Sequence, residues 1–144
     1  MTRRPFRRAP QGPVDLPAAL LAVVGGFQAA LAAGAPWGEA AYGGAHRGVL
    51  PAKYRASSAL STLVYAALVQ VTLGRGPGPT ARRRILTAAS GLMMVGTAMN
   101  LASRSRIERL VWTPVAGTLA VTLLRAARAP RTGVTSGPGN PGRP

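Results

Sequence analysis

The side chains able to do acid–base or ion-pair chemistry gather in two stretches. Residues 36–55 carry Trp37, Glu39, His46, Arg47, Lys53 and Arg55; residues 103–109 carry Arg104, Arg106, Glu108 and Arg109, with Asn100 just ahead of them. Glu39 and Glu108 are two of only three acidic residues, and His46 is the single histidine. Three chemistries are open to this set. An acid of one stretch can pair with an arginine of the other, Glu39 with the short stretch and Glu108 with the long one, clasping the two together. Surplus guanidinium groups can grip an anion such as a lipid phosphate bidentately. Glu39 and His46 can also serve as acid and base. One Glu and one His in a Gly-rich segment are thin support for catalysis. The clasp therefore ranks first, anion binding second, and no residue is assigned as catalytic.

The elements that must hold these stretches are apolar. Between and around them run four segments poor in charge, at about 16–35, 57–73, 85–102 and 105–128. At 1.5 Å per residue, a helix of about 20 residues covers the roughly 30 Å hydrocarbon core of a bilayer. The fourth segment reaches that length only if it starts near Ser105 and carries Pro114 inside it as a kink, which membrane helices tolerate. Ser105 and Glu108 have the spacing of a capping box at that start. The fold class expected is all-α: a transmembrane four-helix bundle of two hairpins over residues 16–128. A disordered basic arm (1–15) and a disordered tail (129–144) flank it. Ala18, Ala22, Gly26, Ala30 and Gly34 recur every four residues, a small-residue stripe suited to close helix packing. Gln28, Gln70 and Asn100 are expected to hydrogen-bond between helices, and Gly43-Gly44 to form a tight turn.

Charge sets the orientation. The net charge of +15 suggests nucleic acid at first sight, but the basic residues fall in clusters that punctuate apolar runs. With the N-terminus inside, twelve basic residues lie on the arm, the central link and the tail, against six on the two outer stretches. That favours both termini in the cytoplasm. Trp37, Tyr42, Tyr54 and Trp112 then fall at the outer interface, where such rings prefer to sit. The excess of arginine over lysine fits a GC-rich bacterial genome, and the bacterial plasma membrane is the location expected.

Several function classes lose support. Cysteine is absent, so there is no disulfide frame and no thiolate metal or redox site. No ionisable group lies deep in any apolar segment, where proton-coupled transporters keep one. Ligands for a zinc or iron site are too few, and no Walker or dinucleotide motif occurs. No cofactor, metal or nucleic-acid partner is expected.

Pro36-Trp37-Gly38, Tyr42-Gly43-Gly44, Gly48-Val49-Leu50-Pro51 and Tyr54-Arg55, followed by Ser57 and Ser58, resemble a motif of a family of small bacterial four-helix membrane proteins, actinobacterial in type and of unknown function. Asn100, Ser103, Ser105, Glu108-Arg109 and Trp112-Thr113-Pro114 resemble its second motif. The resemblance spans about residues 16–125. It implies a multi-pass membrane protein in which the two stretches act as one unit, and supplies no activity or ligand. The leading expectation is a non-enzymatic membrane module acting through 36–55, 103–109 and the small-residue face, on the bilayer, a membrane-protein partner or a second copy. The alternative is a binder or carrier of a small or anionic amphiphile such as a lipid headgroup. A solid, alanine-filled core favours the first. A cavity lined by Gln28 and Asn100, open at the arginine-rich face, favours the second.

Overall fold

The computed structural model describes residues 15–129; the arm and tail, apart from Asp15 and Ala129, lie outside the described residues. Among those described there are four α-helices and no strand: α1 (Leu16–Ala33), α2 (Ala52–Thr72), α3 (Pro79–Ala102) and α4 (Thr113–Arg128). Three stretches are long and apolar enough to cross a membrane: Leu16–Ala33, Pro79–Ala102 and Glu108–Arg128. The second helix is long enough at 21 residues. Lys53, Arg55, Ser57, Ser58, Ser61, Thr62 and Gln70 interrupt its apolar run, and it is not among the three stretches apolar enough to cross.

Helix ends are set by local chemistry. Asp15 caps α1, its Oδ1 accepting from Ala18 N at 3.3 Å, and Pro17 sits in the first turn, where no N–H is needed. Gly34, at φ 101°, closes α1 with its N–H on the carbonyls of Ala30 and Leu31. Pro51 stands immediately before α2, which therefore starts five residues ahead of its apolar core and takes Lys53 and Arg55 onto the helix. Pro79 opens α3 in the same way, bringing Arg82, Arg83 and Arg84 onto the helix. Pro114 does lie inside a helical run. The turn ahead of it, Glu108–Trp112, is a π turn, with Thr113 N bonded to the Glu108 carbonyl. Proline removes a backbone donor and crowds the preceding turn, and a wider turn relieves that crowding.

The helices pack chiefly in consecutive pairs, α1 with α2 and α3 with α4; α2 and α3 touch sparingly. Residues Asp15, Leu16 and Pro17 lie beside Arg125, Ala126 and Ala129, so the two ends of the described chain emerge at one end of the fold. The main core fills that half: Leu21, Leu86, Leu119 and Leu123 are fully buried, with Val24, Leu68, Val71 and Met93 around them. Ser90 adds a buried bond, Oγ donating to the Ala120 carbonyl at 2.7 Å, that ties α3 to α4. Arg82 closes the terminal end. Its guanidinium donates to the carbonyls of Val71, Thr72 and Ala126 at 2.8–3.3 Å, bracing the last turns of α2 and α4. These are orphan carbonyls at the negative ends of two helix dipoles, where a cation is favoured. A smaller cluster of Leu31, Ala41 and Leu50, with Phe27, Tyr42 and Tyr54 against it, fills the opposite end.

Large apolar side chains face outward along the helices. Leu60, Leu63, Leu92, Met94, Met99 and Leu110 are each more than 60% exposed. The middle of the small-residue stripe is not where α1 meets α2. At Gly26 a Cβ would meet nothing within 4 Å, whereas at Gly25 it would stand 3.1 Å from Tyr65 Cβ. Ala22 and Gly26 are exposed. A four-residue repeat drifts about 40° per step around a helix of 3.6 residues per turn, so it cannot hold one contact line over its whole length.

Candidate functional site

The two polar stretches do meet, through backbone groups. Gly43 N donates to Glu108 Oε1 at 2.8 Å, Ser105 Oγ to the Glu39 carbonyl at 2.8 Å, and Trp112 Nε1 to the Ala40 carbonyl at 2.9 Å. Ser105, Glu108 and Trp112 lie three and four residues apart and so share one face of the helical run. Facing them, Tyr42, Gly43 and Gly44 take φ values of 53°, 76° and 69°. Three left-handed residues in a row turn the chain sharply and aim the Gly43 N–H at Glu108. Tyr42 carries a side chain in this disfavoured region. Its hydroxyl donates to the Tyr54 carbonyl at 3.1 Å and shares a 3.0 Å contact with the fully buried Ser58 Oγ, which anchors the turn to α2. A Cβ on Gly44 would stand 2.9 Å from Ser105 Cβ, so the close approach needs glycine there.

The ion-pair clasp is thereby corrected. Glu39 lies 3.5 Å from Arg47 of its own stretch, in an exposed pair. Glu108 is buried at 6% exposure and holds a backbone N–H rather than a guanidinium. A buried carboxyl group needs a donor at fixed distance. The rigid peptide of a left-handed turn supplies one without taking a second charge out of water. The capping box is half made. Glu108 N donates to Ser105 Oγ at 3.3 Å, but the Ser105 N–H goes to Ser103 Oγ and the Glu108 carboxyl crosses to the other stretch.

The remaining candidates scatter. Arg55 Nε donates to the Ala32 carbonyl at 3.1 Å and caps α1, and Arg109 donates to the Ser103 carbonyl after α3. The Trp37 ring stacks on Phe27, with centroids 6.0 Å apart. The His46 ring packs on Tyr54 at 4.6 Å, while the Glu39 carboxyl is engaged by Arg47. Arg47, Arg104 and Arg106 line a shallow surface groove together with Glu39 and Gly44. Gln70 accepts from Arg75, at the helix end, rather than from another helix.

Between the packed terminal half and the loop cap lies a cavity of about 280 Å³. Its floor is Val24, Met93 and Leu119, and its roof Phe27, Ala40, Tyr42 and Trp112. Gln28, Ser61, Tyr65, Asn100 and Glu108 bring polar atoms to its walls. All four helices and both polar stretches contribute, and no Arg or Lys does. Gln28 Oε1 is buried with no hydrogen-bond partner, where an interhelical bond was expected. Of the eleven candidates, Asn100 and Glu108 reach this cavity. Ser61, Tyr65, Gly96 and Trp112 were not singled out for it, because periodicity along one helix does not show where two helix pairs diverge. Among the described residues no three His, Cys, Asp or Glu side chains gather as a metal site.

No protein-family model, no curated protein and no solved structure matches the chain, so the family resemblance stands on the motif residues alone.

Proposed function

We propose that this is a multi-pass protein of the bacterial plasma membrane whose interhelical cavity binds a small amphiphile. The observation that carries the reading is the mixed lining of the 280 Å³ cavity: aromatic and aliphatic floor and roof, polar walls, and a buried amide oxygen left without a partner. Such a site suits a ligand with one polar and one apolar end. The volume is just below the roughly 300–1,000 Å³ typical of ligand pockets, enough for a headgroup and the first carbons of a tail.

Four crossings, with both termini in the cytoplasm, fit this reading. The two ends of the described chain lie at one end of the fold, in keeping with an even number of crossings. Leu60, Leu63 and Val64 of α2 are exposed, as lipid-facing residues are, and α2 lies along α1. Its 21 residues reach about 31 Å. The alternative, a non-enzymatic module that associates through its helices, has the exposed Gly26 face of α1 in its favour.

The test is extraction of bound lipid. Protein purified from its own membranes in mild detergent should retain an amphiphile detectable by mass spectrometry. Gly96→Leu should lose it: Gly96 lines the cavity and a Cβ there meets nothing within 4 Å, so the added side chain starts into open space and fills it. Wild-type protein carrying no more lipid than a folded Gly96→Leu variant would sink the proposal.

A further inference from the structure

The cavity's electrostatics select among headgroups, and they run against the anionic ligand that the arginine count suggests. We infer that the ligand is a non-anionic amphiphile whose headgroup donates hydrogen bonds, an alcohol or an amine, entering from the bilayer between α2 and α3. This rests on the cavity reading above.

Two observations carry it. First, the one buried side-chain polar atom without a partner among the described residues is an acceptor. Gln28 Oε1 is buried and has no partner. Glu108 brings its carboxyl group to the same cavity, with Oε1 on the Gly43 N–H. A buried polar atom left unpaired costs free energy, and a donor placed against it recovers that cost. An O–H or N–H headgroup does so; a carboxylate or phosphate has no hydrogen to offer Gln28 Oε1 and meets Glu108 with like charge. Second, the arginines are elsewhere. Arg47, Arg104 and Arg106 stand on the exposed groove over the loop cap, while Arg55 and Arg109 are spent on helix-end carbonyls. None lines the cavity.

The route follows from packing. The seam between α2 and α3 is thin. Toward the loop end, Ser57 of α2 is exposed, and Gly96 of α3 leaves open space where a side chain would stand. Both line the cavity. The tail can then lie in the lipid while the headgroup reaches Gln28.

The test uses protein in phosphatidylcholine nanodiscs, with Trp37→Phe so that Trp112, in the cavity's roof, is the only tryptophan. Bromine-tagged dodecanol, dodecylamine and dodecanoate are titrated, and quenching is read. The alcohol and amine should bind at least about tenfold more tightly than the carboxylate. Gln28→Leu, which keeps bulk but removes the acceptor, should weaken the alcohol by roughly tenfold, the upper range for one hydrogen bond. Gly96→Leu should abolish quenching by both. If all three probes bind alike, or the carboxylate binds best, and Gly96→Leu still abolishes quenching, the cavity reading survives and the headgroup inference is overturned. If no probe gives quenching that depends on Gly96, the cavity holds water only and both fall.

Discussion

Removing the Glu108 carboxyl group should cost far more stability than removing that of Glu39, although both lie in the two polar stretches. Glu108 is 6% exposed and accepts from Gly43 N at 2.8 Å across 65 residues of chain. A hydrogen bond to a charged acceptor contributes about 1.5–3 kcal/mol, and its loss leaves a peptide N–H unmet at a turn held in the left-handed region. Glu108→Ala should therefore destabilise by about 2–3 kcal/mol. Glu108→Gln keeps an acceptor oxygen at the same reach and should cost about 1 kcal/mol or less. Glu39→Ala removes an exposed pair with a 3.5 Å contact, its arginine side chain 93% exposed. Such pairs contribute little, so the change should stay within about 0.5 kcal/mol. The assay is reversible unfolding in mixed micelles, with the Gly43 amide followed by hydrogen exchange. Its protection should fall in Glu108→Ala and hold in Glu39→Ala. Equal destabilisation by Glu39→Ala and Glu108→Ala would refute the backbone lock and restore an ion-pair clasp.

Gly44→Ala should destabilise by about 2 kcal/mol or more, from the left-handed φ together with the 2.9 Å approach to Ser105 Cβ, whereas Gly43→Ala has open space around it and should cost about 1 kcal/mol. The same unfolding assay separates them, and equal losses would mean the loop contact is unimportant. Arg82→Met should cost about 2 kcal/mol by freeing three carbonyls at the terminal ends of α2 and α4, while Arg83→Met, on an exposed residue of the same helix, should be near neutral. Gly26→Val should leave monomer stability unchanged, and Gly25→Val should lower it through the 3.1 Å approach to Tyr65.

Much of the frame was legible from the chain. Apolar length marked the helices, and Ser105 and Pro114 the form of the last one; the start of α3 at Pro79, six residues ahead of its apolar run, was not legible. The meeting of the two polar stretches was also legible, because short links between long helices leave few places for them. What escaped depends on geometry that residue types do not encode. Glu108 reads equally well as an arginine partner, a cap, or a buried acceptor until the left-handed turn at Tyr42, Gly43 and Gly44 presents an N–H to it. Arg82 looks like one charge in a basic cluster, and only the convergence of the ends of α2 and α4 makes it a brace. Gly25 and Gly26 are indistinguishable in sequence and opposite in environment. The cavity arises where the two helix pairs diverge above the Leu21–Leu119 core, a property of the pairing and not of any one helix.

A cavity inside the bilayer requires α2 to cross beside α1, although α2 is not among the three stretches apolar enough to mark a crossing. The chain has no cysteine, so single cysteines report position without background. Cysteine placed at Ala45, in the long loop, and separately at Pro77, in the link between α2 and α3, should differ in intact cells. A membrane-impermeant maleimide should label position 45 at once and position 77 only after the membrane is opened. Labelling of both from the same side would mean that α2 does not cross. The four-span arrangement, and a ligand cavity enclosed within the membrane, would then be wrong.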